Sequence, residues 1–299
     1  MPLVECVPNV SEGRRSDVIA ALAASLAVRG VRLLDQSSDS SHNRTVYTFV
    51  GEPERVQEAA IRLYEAAIER IDLRQHEGVH PRIGAVDVFP FVPMAGTTMA
   101  DCVALSRSTA EMVATRFQVP VYLYEEAARR PDRRNLAEIR RGGLADLERR
   151  MTEVAWLPDF GRPVLHPTAG ATAIGARPIL IAYNVNLNSD RLDVAKRIAS
   201  VVRESGGGFA GVKAMGVRLD DRGIVQVSMN LTDYRRTSIA TVFDAISREA
   251  AADGVEVLES EIVGLVPADA LPPEPAARLK LAGSGGARTL ESKISNLQS

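Results

Sequence analysis

Val212-Lys213-Ala214-Met215-Gly216-Val217-Arg218-Leu219-Asp220-Asp221-Arg222-Gly223-Ile224-Val225-Gln226-Val227-Ser228-Met229-Asn230 reads as two strands and a turn. Asp220-Asp221-Arg222-Gly223 is a turn by composition, so residues 212–219 and 224–230 form a hairpin. Upstream, residues 179–186 read as a strand, and Ser189 or Asp190 caps a helix to about residue 202. Downstream, Thr237 or Ser238 caps a helix to about residue 252, Gly254 ends it, and residues 255–263 form a strand. The order strand, helix, strand, strand, helix, strand fits a sheet with helices packed on one face.

The first half repeats that order. Residues 3–8 read as a strand, and Pro8 to Gly13 as a loop. Ser16 caps a helix over 17–28, with Val18, Ala21, Leu22 and Leu26 at helical spacing. A strand over 31–35 leads into a polar loop over 36–44 and a β-branched strand over 45–51. Pro53 opens a helix to about residue 71, and a strand follows at 85–91. Beyond lie a helix at 98–117 and a strand at 119–124. The arginine-rich run 126–150 reads as a solvated helical face. Residues 158–178, small and turn-rich, read as a functional loop or an interdomain connection. The expected fold is α+β: two α/β-sandwich subdomains, residues 1–178 and 179–299, each a mainly antiparallel sheet with helices on one face. A partly flexible tail is expected after about residue 283, following Pro272, Pro273 and Pro275.

Composition narrows the class. A net charge of -2 without a long basic run argues against nucleic acid and anionic membranes as partners. Two cysteines, Cys6 and Cys102, build neither a disulfide framework nor a cysteine zinc site, which fits a reducing, cytoplasmic setting. No apolar run approaches a spanning helix, and no signal peptide is expected.

Chemistry concentrates in three loops. His76-Glu77-Gly78-Val79-His80 spells the zinc-hydrolase pattern by letters. That pattern needs a helix to bring both imidazoles to one metal, and Gly78 and Pro81 oppose one. The segment instead reads as a loop that presents His80 for proton transfer and Arg82 for clamping a carboxylate. Asp39, His42, Asn43 and Arg44 form a second polar cluster, with turn formation as the plain alternative. The third is Gly161-Arg162-Pro163-Val164-Leu165-His166-Pro167-Thr168-Ala169-Gly170, where glycines permit close approach of backbone to a flat ligand. Arg177 and Lys213 are further candidates for a carboxylate. No phosphate-loop pattern is present.

Several stretches together carry a resemblance. They are Glu5 to Gly13, Asp39 with His42-Asn43-Arg44-Thr45-Val46, Gly78 to Val88, Pro120 to Tyr124 and Gly170 to Arg177. They resemble the formiminotransferase domain of the glutamate formimidoyltransferase family, from Leu3 to about Val266. Some members of that family fuse this domain to a cyclodeaminase. The resemblance implies transfer of a formimino group from N-formimino-L-glutamate to N5 of tetrahydrofolate, in histidine degradation and one-carbon metabolism. It also implies a homodimer of two-subdomain chains with the substrates in a tunnel between subdomains, and no metal. It places the catalytic histidine on His80 and the folate-binding segment on 161–170. Val10 departs from the phenylalanine of many members. Ser37 stands where some place an acid, which leaves Asp39, two positions on, for that role.

Chemistry supplies the rest of the expectation. N5 of the folate attacks the amidine carbon, His80 takes the N5 proton and returns it to the leaving glutamate nitrogen, and Asp39 stabilises the amidinium. Arg82, Asn43, Arg44, Arg177 and Lys213 are the expected substrate contacts. The alternatives are formyl transfer between 5-formyltetrahydrofolate and glutamate, and a zinc hydrolase through His76 and His80.

Overall fold

The structure, a computed structural model, describes residues 2–40, 42–78, 82–220, 222–282 and 288–295. The chain divides into two compact units, residues 1–177 and 178–299. No helix among the described residues is long and apolar enough to cross a membrane.

In the second unit, β8 (Ile181–Leu187), α6 (Leu192–Val202), β9 (Val212–Leu219), β10 (Ile224–Leu231), α7 (Ile239–Ala252) and β11 (Val257–Val263) follow in the expected sequence. The hairpin β9–β10 pairs Leu219 with Ile224 and Val212 with Leu231, though Asp221 of its turn lies outside the described residues. The sheet order is β11-β8-β10-β9, all antiparallel. Alternation sends Tyr183, Val185, Val225 and Val227 towards Ile198, Val242 and Ile246 of the helices. The opposite face is polar: Gln226 Nε2 donates to Asn186 Oδ1 (2.8 Å), and Asn186 Nδ2 to Glu259 (3.1 Å). The tail contains short helices at Pro275–Arg278 and Leu290–Ser295, while 283–287 and 296–299 lie outside the described residues.

The first unit repeats this order around a longer sheet. Its elements are β1 (Val4–Cys6), β2 (Asn9–Val10), α1 (Ser16–Ser25), β3 (Val31–Asp39), β4 (Arg44–Gly51), α2 (Pro53–Arg70), β5 (Val86–Pro93), α3 (Met99–Phe117), β6 (Val121–Glu125), α4 (Leu136–Arg140), α5 (Gly143–Arg150) and β7 (Thr172–Ala176). β1 and β2 are one strand interrupted at Val7-Pro8, paired on both sides with β4 and β5. With β3 on the outside of β4, the order β3-β4-β1-β5 matches β9-β10-β8-β11 of the second unit. Aromatic rings fill the helix-covered face. Phe89 lies 5.9 Å from Tyr64, 6.1 Å from Phe49 and 5.1 Å from Phe91 between centroids.

Several local features depart from the sequence reading; among them, α6 has Arg191 at its N-cap in place of Ser189 or Asp190. β3 runs on to Asp39, pairing it with Arg44, so most of the polar stretch is hairpin rather than loop. Ser16 is the first helical residue of α1 instead of its cap. The carboxylate of Glu12 accepts the amides of Arg14 and Arg15, both at 2.9 Å, and takes over that function. Finally, Thr172–Ala176 is a buried strand, parallel to both β5 and β6. Alanine and glycine there carry no strand signal, yet they fit: a Cβ at Gly175 would sit 2.4 Å from the Tyr124 carbonyl oxygen and 2.5 Å from its ring.

The arginine run also differs from a plain solvated face. A small core of Ile83, Val88, Tyr122, Tyr124, Ile139, Leu147 and Met151 forms where α4 and α5 cover the second side of the sheet. Arg133 turns into it, bonding Asp159 at 2.8 Å with both side chains almost fully buried.

Helix α6 approaches β9 so closely that a Cβ on Gly216 would lie 2.4 Å from the Lys196 amide nitrogen. Backbone on both sides prevents a cheap shift. Gly216→Val is expected to lower stability by about 1–3 kcal/mol, the usual cost of overpacking, seen as an unfolding midpoint at lower urea.

Candidate active site

Four backbone segments of the first unit meet at the ends of β2, β4, β5 and β7. Ser11 binds one of them twice: its amide donates to the Ala85 carbonyl (2.8 Å) and its hydroxyl to that of Gly84 (2.7 Å). The Thr45 hydroxyl donates to the Glu12 carbonyl at 2.5 Å. Burial works against ionisation of Glu12. Hydrogen bonds from the Arg15 and Arg14 amides and the Arg15 guanidinium nonetheless hold its carboxyl below the ordinary value.

The hairpin turn between β3 and β4 is closed by Asp39, which accepts the His42 amide at 2.9 Å and pairs with His42 Nδ1 at 2.7 Å. Both side chains remain nearly half exposed, 45% for Asp39 and 43% for His42. Asn43 follows, buried and left-handed at φ +48°. Its Oδ1 accepts the Gly13 amide (2.8 Å) and its Nδ2 donates to the Glu77 carbonyl (2.8 Å). The amide group expected to meet substrate is thus bonded within the protein at both ends. Arg44 is half-buried near Arg140, Asp39 and Asp87, and has no side-chain hydrogen bond among the described residues. Burial first, then the charge of Arg140, weaken its hold on its proton, and Asp39 and Asp87 oppose them.

His80, with Val79 and Pro81, lies outside the described residues. His76, Glu77 and Gly78 take no helical conformation, and His76 Nε2 bonds the Asn43 carbonyl at 3.0 Å. Arg82 donates to the carbonyls of His76 (2.6 Å) and Gly78 (3.1 Å). At least two of its donors therefore brace its own loop. Asp87 accepts the Ile83 amide at 2.7 Å through Oδ1 and pairs with Arg140 through Oδ2. Both of these carboxylate oxygens are buried, where an unmatched charge would be costly.

The 161–170 segment splits in two. Gly161, Arg162, Pro163 and Val164 are exposed. His166 to Gly170 form a tight turn: His166 and Gly170 exchange amide-to-carbonyl bonds at 2.9 Å, and His166 Nδ1 accepts the Ala169 amide at 3.0 Å. Burial lowers the pKa of His166, in keeping with an acceptor Nδ1. The turn is bonded to the histidine loop on both sides, through Leu73 N to Thr168 O (2.8 Å) and Ala171 N to Ile83 O (2.8 Å). Gly84 and Gly170 make the contact possible. A Cβ on Gly84 would lie 1.8 Å from the Ala171 carbonyl oxygen, and one on Gly170 2.4 Å from that of Ile83.

Sequence models of the formiminotransferase domain cover both units. That of its N-terminal subdomain matches residues 3–177, and that of the formiminotransferase domain matches 182–277. The chain belongs to the formiminotransferase family. It is 48% identical over 270 residues to the glutamate formimidoyltransferase of Streptococcus pyogenes serotype M1, covering 90% of each chain. It is 46% identical over 297 residues, 98% of each chain, to the glutamate formimidoyltransferase of Thermoplasma acidophilum. The formimidoyltransferase-cyclodeaminase of Sus scrofa is 45% identical over 276 residues, which span 90% of this chain and 51% of that protein.

Two more charged groups in this formiminotransferase fold went unnoticed in the sequence. Glu5 is buried in β1, opposite Val50 and Val92. Burial raises it to about 7, against the pull of Arg177. Arg177 also lies beside Tyr124, whose hydroxyl burial pushes up to about 12. Arg177 is thereby placed in a buried polar group of the first unit. Lys213, by contrast, is exposed on β9 of the second unit. The signal for both Glu5 and Asp87 was a lone acid inside an apolar strand, Val4-Glu5-Cys6 and Val86-Asp87-Val88.

Glu5 gives the fold a pH signature. Between its ordinary 4.5 and about 7 the folded protein keeps this proton while the unfolded chain has released it. The wild type is expected to lose stability relative to Glu5→Gln as pH rises through that interval, with a constant difference above it. Urea unfolding of both proteins across about pH 5 to 8 measures this; parallel curves would remove the buried acid as its source.

Proposed function

We infer that the chain is a glutamate formimidoyltransferase: it moves the formimino group of N-formimino-L-glutamate to N5 of tetrahydrofolate and releases L-glutamate. The observation that carries this reading is identity of 46–48% to glutamate formimidoyltransferases over 90–98% of the chain. Tetrahydrofolate is the co-substrate, and the reaction belongs to histidine degradation and one-carbon metabolism. A cytoplasmic homodimer without nucleic-acid or membrane partners completes the reading.

In this scheme His80 is the proton carrier. N5 attacks the amidine carbon and gains positive charge; the N–C bond to glutamate then breaks. The N5 proton passes through the imidazole to the departing amine, so one group acts first as base and then as acid. Asp39 faces the amidinium and opposes its charge. Arg44 is the favoured partner for a substrate carboxylate, because its guanidinium makes no hydrogen bond among the described residues while losing hydration to burial. Arg177 and Lys213 supply further positive charge for the glutamyl groups. The 161–170 segment offers backbone to the folate ring.

The reaction is tested by supplying purified protein with tetrahydrofolate and formiminoglutamate, and separately with 5-formyltetrahydrofolate and glutamate. Formation of 5-formiminotetrahydrofolate in the first mixture is expected, and its absence overturns the reading. His80→Ala is expected to lower kcat by roughly two to four powers of ten with folate binding retained. Arg44→Met is expected to raise KM for one anionic substrate about tenfold or more, the scale of a lost charge-assisted hydrogen bond. An unchanged KM for both substrates would remove Arg44 from carboxylate recognition.

A further inference from the structure

The hairpin turn before β4 and the segment before His80 are joined at Asn43, through its side chain and its backbone carbonyl. Asn43 Nδ2 reaches the Glu77 carbonyl at 2.8 Å, while its own backbone carbonyl bonds His76 Nε2 at 3.0 Å. A carbonyl oxygen can only accept, so His76 must be the donor from Nε2. Burial, and then the charge of Arg82, favour neutral His76, and a neutral ring with its proton on Nε2 is sufficient for this bond. Contact is tight as well: a Cβ on Gly78 would lie 2.6 Å from the His42 carbonyl oxygen and 3.0 Å from the Asn43 Cβ. At its other end Asn43 is fixed by the Gly13 amide through Oδ1, at 2.8 Å.

The residue type at 43 is narrowly determined. Its φ of +48° favours glycine, asparagine or aspartate. Of these, only asparagine presents an acceptor to Gly13 N and a donor to Glu77 O together. Glycine keeps the backbone and loses both bonds. Aspartate keeps the acceptor and sets a negative oxygen against the Glu77 carbonyl.

We propose that Asn43 is a positioning residue, which seats the loop leading to His80 and leaves substrate contact to other groups. This rests on His80 as the proton carrier of the transferase reading. Arg82 and Asp87 brace the same loop through His76, Gly78 and Ile83. Among the described residues, the Asn43 amide group ties Glu77 to the Gly13 loop, beside the bond from His76 to the Asn43 carbonyl. A proton carrier displaced by about 1 Å can lose a hundredfold in rate while binding is spared.

The test compares full-length wild type, Asn43→Gly and Asn43→Asp by steady-state kinetics and by hydrogen exchange without substrate. Asn43→Gly is expected to lower kcat about tenfold to a hundredfold, with KM for both substrates changed less than about threefold. Amides of residues 76–78 and 82–83 should exchange faster, while those of β4 and β5 stay protected. For Asn43→Asp, the ratio of its kcat to that of wild type should rise as pH falls from about 8 towards about 5. There the new carboxyl, its pKa raised by burial, regains a proton to donate to Glu77. A raised KM for one substrate at unchanged kcat overturns the proposal in favour of direct contact. Unchanged exchange in both variants overturns it too, whatever the kinetics. Wild type inactive on formiminoglutamate and tetrahydrofolate refutes the transferase reading, and is told apart because the exchange arm needs no turnover.

Discussion

The first unit depends on backbone packed against backbone where side chains cannot fit. At Gly13, Gly78, Gly84 and Gly170 an added Cβ would lie 1.8–2.6 Å from a carbonyl oxygen of another segment. These contacts join four loops distant in sequence into one body. Main-chain groups brought so close must be satisfied, and they are: Ser11 with Gly84 and Ala85, Ala85 with Ala169, Ala171 with Ile83. These segments are therefore held to one another by main-chain pairing more than by side-chain interlock. That suits the proposed transfer, which assigns proton transfer to one imidazole flanked in sequence by Gly78 and Gly84.

Charge is added to this frame in matched pairs at the second side of the sheet. Asp87 with Arg140, and Asp159 with Arg133, are nearly buried, and each acid also accepts a backbone amide, from Ile83 and Leu123. Such pairs contribute little net stability, since desolvation offsets attraction, but breaking one leaves a costly orphan. Their effect is to fix where segments attach. Asp159 also receives Leu123 of β6 immediately ahead of the 161–170 segment, and Asp87 receives Ile83 immediately after the histidine loop. Arg44 differs from Arg133 and Arg140 in making no side-chain hydrogen bond among the described residues.

Most of the architecture was legible because it is written in local chemistry. Pro53 opens α2, Ser238 caps α7 through Thr241, and alternating apolar residues mark β10. The strand Thr172–Ala176 was not legible: its alanines and glycine carry little strand signal, and the close approach of Tyr124 that excludes a Cβ at Gly175 appears only in the structure. In the site, the cluster at 39–44 and the loop around Arg82 stood out as polar and histidine-bearing. What could not be read was direction. Asn43 and Arg82 look like substrate ligands in a sequence, and only their partners at Gly13, Glu77, His76 and Gly78 identify inward bonding. Glu5 and Asp87 were hidden for the opposite reason, since an acid in an apolar strand reads as its solvent face until the sheet is seen to bury it.

The 161–170 segment and the histidine loop share more than proximity. Thr168, Ala169 and Ala171 are bonded respectively to Leu73, Ala85 and Ile83, before and after the loop in sequence. The His166–Gly170 turn is thus part of the frame that closes the histidine loop, while Gly161 to Val164 remain exposed. A folate ring held on this segment would be referenced to the same main chain that flanks His80. Attacking nitrogen and proton carrier would then be set by one hydrogen-bonded frame, with no need for a metal to orient them. Reaction geometry in such a site follows from backbone register, and the side chains that matter most are the few, like Asn43, that fix one register against another.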